Sequence, residues 1–106
     1  NVAMARLFRK NLQSVGRNIP LGDMEKSHGS TDVGNVSSLV PTIQPMVAIA
    51  AHEVLIHSKE FAQAAATKKA LNAMLDAAKA MAMTAADLMA DPATLHGVRE
   101  EFQKSK

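Results

Sequence analysis

Residues 58–90 decide the fold, and they read SKEFAQAAATKKALNAMLDAAKAMAMTAADLMA. Ser58 can accept a hydrogen bond from the first free amides of a helix, and Glu60 in the first turn is favoured by the helix dipole. Apolar side chains then recur at helical spacing and form one stripe, with polar side chains mostly opposite. The stripe consists of Leu71, Met74, Leu75, Ala78, Met81, Ala82, Ala85, Leu88 and Met89. The pattern predicts one long amphipathic helix over residues 58–90, and its charges exclude a transmembrane span.

Shorter helices are predicted on either side of this long one. Over residues 2–15 apolar positions recur mostly at intervals of three and four, which predicts an amphipathic helix. Gly16 follows where a left-handed residue would stop that helix. Asp91 and Pro92 combine an N-cap residue with a proline at the first helical position, so a C-terminal helix is expected over residues 92–104.

The connection between the first and the long helix contains turn residues and one candidate strand. Residues 16–40 are rich in Gly, Ser, Thr, Asn and Asp, which is typical of a loop, and we expect a short helix within it. Residues 42–50 form an apolar run with β-branched side chains whose prolines forbid a long helix, so a strand is predicted there. The expected fold class is an α/β fragment, predominantly helical, with about three helices, one of them long, and one or two short strands.

The composition bounds the size and the partners of the chain. A length of 106 residues amounts to one small domain. The 12 basic and 10 acidic side chains are scattered and give a net charge of +2, which argues against a nucleic acid or an anionic membrane as partner. The sequence has no cysteine, so disulfides, thiolate nucleophiles and cysteine-based zinc sites are excluded. A cytoplasmic location is expected.

Large core-forming side chains are sparse for an independent domain. The sequence has three Phe, no Tyr and no Trp, although aromatic residues supply the largest single burials. Alanine-rich helical faces bury little area per residue, so we expect them to lie against something bulkier, such as a sheet or another chain. The chain also begins with Asn-Val-Ala rather than Met. Both observations predict that these residues are a segment of a longer protein.

Histidines are the first candidates for chemistry, because imidazole titrates near neutrality and binds metals. His96 lies inside the last predicted helix, which is typical of a solvated surface histidine. His52 and His57 are five residues apart, a spacing that matches no metal-binding motif. His57 lies between an apolar strand and a helix, where sites in open α/β sheets collect, so it is the stronger ligand candidate. A surface role stays open for both.

Residues 28–37, HGSTDVGNVS, are the second candidate site. Their two glycines let a ligand approach the backbone, and the hydroxyl and amide groups can hold a carboxylate or a phosphate. Neither the phosphate-binding loop motif nor the dinucleotide-binding motif is present. The alternative interpretation is a structural turn that caps a short helix from Val33 to Leu39.

Three ordered blocks, residues 29–45, 57–65 and 77–92, give the chain a resemblance to a known family. Together they resemble the C-terminal end of the dizinc metallopeptidases, the superfamily of carboxypeptidase G, aminoacylase and succinyl-diaminopimelate desuccinylase. The nearest branch is similar to the aminobenzoyl-glutamate hydrolases and aminoacylase-like dipeptidases. The resemblance covers roughly residues 28–104, and it implies that residues 1–106 are the C-terminal segment of an α/β/α zinc-peptidase-like catalytic domain.

The resemblance implies a zinc role for one histidine. In this family two zinc ions are held by histidines and carboxylates, nearly all from the first part of the catalytic domain, and one histidine near the C-terminus completes the site. His57 matches that last metal ligand. The general base of the family is a glutamate from the upstream part, and neither Glu53 nor Glu60 matches it. No catalytic residue is therefore assigned in this segment.

The loop before the candidate strand matches the family's loop near the substrate pocket. By resemblance, backbone amides and small polar side chains there receive a terminal carboxylate of the substrate. We expect Gly29, Ser30 and Thr31 to make these substrate contacts, and Asp32 and Asn35 to hold the loop in shape.

The function implied by the resemblance is hydrolysis of a small amide bond. The parent enzyme would cleave an N-acyl amino acid, an aminobenzoyl-glutamate-like conjugate or a dipeptide, with the remainder of the catalytic domain as the partner of this segment. The segment alone is expected to be inactive and to bind zinc weakly or not at all, and its apolar edges favour self-association. The alternative is an Ala/Met-rich helical interaction or oligomerisation module, because methionine-rich faces adapt to varied partners.

Overall fold

The computed structural model describes residues 1–17 and 31–106. The described chain contains five helices: α1 Val2–Ser14, α2 Val33–Ser37, α3 Lys59–Ala65, α4 Lys68–Ala90 and α5 Pro92–Lys104. The predicted predominance of helix is confirmed. Among the described helices, none combines the length and the apolar character needed to cross a membrane.

The strand predicted over residues 42–50 is absent, and the described residues contain no strand at all. The expected α/β architecture is therefore not found within residues 1–17 and 31–106. A strand needs a neighbouring strand to pair its amides and carbonyls, and Pro41 and Pro45 supply no amide hydrogen. Residues 41–49 instead form an irregular connection, from which Ile43 and Val47 pack against the helical core.

The single helix predicted over residues 58–90 is divided into α3 and α4. Ala66 ends α3, and Thr67 then adopts an extended backbone with φ −78° and ψ 155°. The Thr67 hydroxyl accepts a hydrogen bond from the Ala70 amide at 3.2 Å. A threonine favours such a cap over a mid-helix position because its hydroxyl bonds to nearby backbone groups. The local preference of Thr67 therefore prevails over the helical period around it.

Both ends of α1 are closed by local contacts. At its start the Met4 amide donates to the Asn1 side-chain oxygen at 2.9 Å. At its end Gly16 has φ +91°, which confirms the predicted left-handed stop. The amides of Gly16 and Arg17 donate to the carbonyls of Gln13 and Leu12 at 3.0 and 3.1 Å, the hydrogen-bond pair of a Schellman motif.

Helices α1, α4 and α5 pack against one another, and α3 contacts α4. The centre of the core is formed by Phe8, Leu12 and Ala80, with Val15 packed against them. The side of α4 that is buried carries small residues, which let α1 approach closely. We call it the packed side, and its members are Ala70, Ala73, Ala80 and Thr84.

The large apolar side chains of α4 point away from this core. Five of them are between 48% and 80% exposed, and we call them the bulky stripe: Leu71, Met74, Leu75, Met81 and Met89. They belong to the apolar stripe recognised in the sequence. The expected bulkier cover for an alanine-rich helix is thus supplied on one side of α4 by α1, whereas the side with the larger side chains has no cover within the described residues.

Polar contacts fix how α1 packs against α4. The buried amide of Asn11 on α1 donates to the Thr84 hydroxyl at 3.2 Å and to the Asp87 carboxylate at 2.8 Å. At the end of α1 the Arg17 guanidinium pairs with Asp76 at 2.8 Å. These contacts define the register of α1 along α4.

Helix α5 is joined to the start of α1 by a carboxylate. The amides of Val2 and Ala3 donate to Glu101, and these hydrogen bonds hold the pKa of Glu101 below its ordinary value. The Asn1 side-chain amide donates to the Val98 carbonyl at 2.9 Å. An acidic side chain at a helix N-terminus also interacts favourably with the helix dipole.

Candidate functional site

His57 lies on an exposed turn between the irregular connection and α3. Its backbone φ is +65°, and it is the one non-glycine residue with positive φ among those described. A residue with a β-carbon is uncommon in this left-handed region, although histidine is enriched there. His57 is exposed, and no hydrogen bond to its imidazole is found among the described residues.

Ser58 follows His57 and begins α3. Its hydroxyl accepts a hydrogen bond from the Phe61 amide at 3.0 Å, which confirms the N-cap predicted for it. The same hydroxyl donates to the Leu55 carbonyl at 2.7 Å. Ser58 therefore connects the residues before and after His57.

A shallow open depression lies beside this turn. It is lined by Glu53, Val54, Leu55, Ser58 and Glu60. Its two carboxylates, from Glu53 and Glu60, are near His57 in the sequence. No cluster of three or more metal-binding side chains occurs within residues 1–17 and 31–106. Neither glutamate gains a catalytic role from this arrangement.

The donor set decides how zinc would fit. A zinc site uses at least three protein ligands, and the described residues do not bring three together. An exposed imidazole without a competing hydrogen bond fits the role of one ligand, with the other ligands supplied from outside these residues. His57 therefore fits one position of a shared zinc site, and the described residues alone do not complete that site.

The predicted substrate loop is only partly within the described residues. Gly29 and Ser30 lie outside them. Thr31 is exposed, its carbonyl accepts from the Gly34 amide at 3.1 Å, and its hydroxyl accepts from the Val33 amide at 3.4 Å. At this end the loop forms the turn that starts α2, as the alternative interpretation expects, and the substrate contact stays a prediction.

Helix α2 and the two other described histidines, His52 and His96, add no further chemistry to this turn. Asp32 at the start of α2 makes no side-chain capping bond, and Asn35 is exposed. α2 does not pack against another of the described helices. His52 is exposed in a turn, and His96 is exposed on α5. The hydrogen bonds found for Thr31 are made with Val33 and Gly34, and none joins it to His57.

Three features of the structure were missed by reasoning from the sequence. The left-handed backbone of His57 has no sequence signal, because it depends on how the chain enters α3. The second hydrogen bond of Ser58, to Leu55, could have been anticipated, since serine hydroxyls often bond to a carbonyl three residues earlier. The Glu101 contact with α1 joins positions 99 residues apart and is not predictable from local patterns.

Comparison with known proteins identifies similar segments in two mammalian enzymes. The chain is 47% identical over 105 residues to an Xaa-Arg dipeptidase of Mus musculus, which covers 97% of this chain and 24% of the mouse protein. It is similar to a segment of a dipeptidase. An Xaa-Arg dipeptidase of Homo sapiens is 44% identical over 75 residues, which covers 71% of this chain and 17% of the human protein. The chain thus spans a quarter or less of the length of these relatives.

Two other comparisons give no match. No family model matches the chain, and no solved structure matches it. The relationship to dipeptidases therefore depends on the two relatives.

Proposed function

We propose that this chain is a segment of a zinc-dependent dipeptidase, to which it contributes one metal ligand, His57, and part of the substrate loop. The substrate proposed is a dipeptide with arginine at its C-terminal position, as the names of the relatives indicate for those enzymes. The observation that carries the proposal is the 47% identity along 97% of this chain.

The bulky stripe supports the idea that the chain works as part of a larger body. Large apolar side chains that stay exposed along one helix mark a surface made for contact. The stripe extends from Leu71 to Met89, which at ~1.5 Å per residue is about 27 Å of helix. The relatives have more than three quarters of their length outside the matching segment, enough to supply the cover.

The reaction proposed is hydrolysis of the peptide bond. Water adds across the bond, the carbon–nitrogen bond breaks, the carbonyl carbon gains the oxygen as a carboxylate, and the nitrogen leaves as an amine. Zinc, when bound, supplies Lewis acidity and an activated water at neutral pH. His57 would donate an imidazole nitrogen to the metal, and the loop at Gly29, Ser30 and Thr31 would hold the terminal carboxylate of the dipeptide.

A hybrid enzyme tests this proposal. In it, the segment of the mouse dipeptidase that matches this chain is replaced by residues 1–106, and hydrolysis of a dipeptide ending in arginine is measured. We expect the hybrid to be active and to contain zinc. His57→Ala should abolish activity and reduce zinc content while circular dichroism shows the fold retained, since the ligand is lost and α1, α4 and α5 are untouched.

The matched control is His96→Ala, which removes an exposed imidazole from α5. We expect that variant to retain activity and zinc. Equal activity of the two histidine variants contradicts the metal role of His57. The 106-residue chain alone should bind zinc weakly or not at all in a titration, and tight stoichiometric binding with peptide hydrolysis would overturn the assignment of a shared site.

A second candidate function is favoured by the same bulky stripe. An interaction module could use these exposed methionines and leucines to bind a second copy of the chain. The two functions separate in one pair of measurements. A monomeric chain whose hybrid hydrolyses dipeptides supports the enzyme, and a stable oligomer whose hybrid is inactive supports the module.

A further inference from the structure

We infer that Ser58 is a positioning residue for His57, because its hydroxyl closes the turn that holds His57 in a left-handed backbone conformation. The inference rests on the proposed function of His57 as a metal ligand. Ser58 itself contacts neither metal nor substrate in this proposal. Its effect is to determine the direction in which the backbone presents the imidazole.

Two hydrogen bonds of one oxygen form the closure. The Ser58 hydroxyl donates to the Leu55 carbonyl at 2.7 Å and accepts from the Phe61 amide at 3.0 Å. The first bond encloses Ile56 and His57 in the turn, and the second fixes this turn to the first turn of α3. Within the described residues no other hydrogen bond closes over His57.

The conformation of His57 needs such a closure. Its φ of +65° is unfavourable for a residue with a β-carbon and persists only where the surroundings determine it. The His57 side chain is exposed and makes no hydrogen bond with a described residue that could fix the ring. The direction of the imidazole is therefore determined by the backbone, and a return to negative φ would redirect it.

Thr67 provides a matched comparison within the same chain. Its hydroxyl donates to the Ala64 carbonyl at 2.7 Å and accepts from the Ala70 amide at 3.2 Å, the same pattern as at Ser58. The residue before it, Ala66, is right-handed with φ −85°. Loss of the Thr67 hydroxyl removes an equivalent helix cap without releasing a left-handed residue, so it separates capping from positioning.

The first experiment measures the backbone of His57 in the 106-residue chain by NMR. The coupling between its amide and α protons, together with its α-carbon shift, reports φ. In Ser58→Ala we expect both signals to move toward right-handed values. In Ser58→Thr, which restores the hydroxyl, and in Thr67→Ala they should stay as in the parent chain.

The second experiment uses the hybrid dipeptidase and measures zinc affinity together with kcat and KM. Ser58→Ala should lower zinc affinity or kcat by about 10- to 100-fold, the usual effect of losing a group that orients a metal ligand. Ser58→Thr should recover most of this loss. Thr67→Ala should leave zinc affinity and kcat unchanged, although it removes a cap of the same kind.

Two outcomes overturn the inference. One is a His57 that stays left-handed in Ser58→Ala, and the other is a Thr67→Ala variant that loses zinc and activity as Ser58→Ala does. Failure of the proposed function looks different. In that case His57→Ala retains zinc and activity in the hybrid while NMR still detects the closure by Ser58, which shows a structural turn without a positioning role.

Discussion

The two apolar sides of α4 behave in opposite ways. The packed side carries alanine and threonine and is buried, with Ala80 and Thr84 in contact with α1, whereas the bulky stripe carries leucine and methionine and is exposed. The larger side chains would bury more apolar area, yet the chain packs on the smaller ones. Small residues let two helices approach closely, and Leu12 of α1 occupies the space beside Ala80.

This difference shows that the size of an apolar side chain on α4 does not determine whether it is buried within this chain. A helix with two apolar sides is expected to pack against a neighbour on each of them. One cover is present in the chain itself, and the second is what we propose the rest of a dipeptidase supplies. Substitutions on the two sides should therefore differ in their effect on the folding of this chain, and the predictions below compare them in order of decreasing effect.

The largest effect is expected from Leu12→Ala. Leu12 is fully buried, so truncation leaves a cavity and should lower the free energy of unfolding by about 2–5 kcal/mol. Leu75→Ala makes the same chemical change on the bulky stripe, where the side chain is 53% exposed, and should change stability by no more than about 0.5 kcal/mol. Urea unfolding measures both. Similar losses for the two variants would show that the stripe is buried in solution.

A smaller effect is expected from enlarging the packed side. Ala80 has no exposed surface, so Ala80→Leu should force α1 and α4 apart and cost about 1–3 kcal/mol. Ala78→Leu adds the same atoms on the exposed side of α4 and should be close to neutral. The difference in thermal midpoint between the variants is the measurement. A tolerated leucine at position 80 would contradict the close contact with α1.

The end of α1 gives the next effect. Gly16 is left-handed, so Gly16→Ala should destabilise the chain by about 1 kcal/mol through the strain on a β-carbon. Gly97→Ala is the matched control, because Gly97 lies inside α5 and a β-carbon there meets nothing within 4 Å. That variant should be stabilised by about 0.5–1 kcal/mol. Denaturant titration should give opposite signs, and equal signs would contradict the role of Gly16.

Local chemistry made part of this fold predictable. The N-caps at Ser58 and Asp91 and the left-handed Gly16 depend on contacts within a few residues, and the structure contains all three. The strand over residues 42–50 was wrong because a strand depends on a partner that local sequence does not reveal. The break at Thr67 was missed because capping and helix continuation compete there, and only tertiary context decides between them.

The candidate site was less predictable than the fold. His57 could be chosen as a metal-ligand candidate from its residue type and from the resemblance. Its left-handed backbone could not be predicted, because it depends on the path of the chain into α3. The predicted contacts of Gly29 and Ser30 lie outside the described residues. The exposure of the bulky stripe could not be predicted either, because periodicity identifies an apolar side of a helix but not the neighbour that covers it.

The smallest effect is expected from the Glu101 carboxylate, which connects α5 to the start of α1. The pKa of Glu101 is lowered from 4.5 by hydrogen bonds from the Val2 and Ala3 amides, so its contribution to stability is fully present above that ordinary value and is lost as the pH falls from there through the lowered pKa. We therefore expect the thermal midpoint to fall on acidification, and Glu101→Gln to make this fall shallower while lowering the midpoint slightly at pH 7.

Glu60→Gln is the control for this pH dependence, because it removes the same charge from α3, which does not contact α1. We expect that variant to reduce the acid dependence less than Glu101→Gln does. Thermal melts from pH 7 to pH 3 decide the matter. An undiminished acid dependence in Glu101→Gln would mean that the Glu101 carboxylate does not hold the N-terminus of α1. The position of α1 on the packed side of α4 would then depend on its contacts with α4 and less on α5.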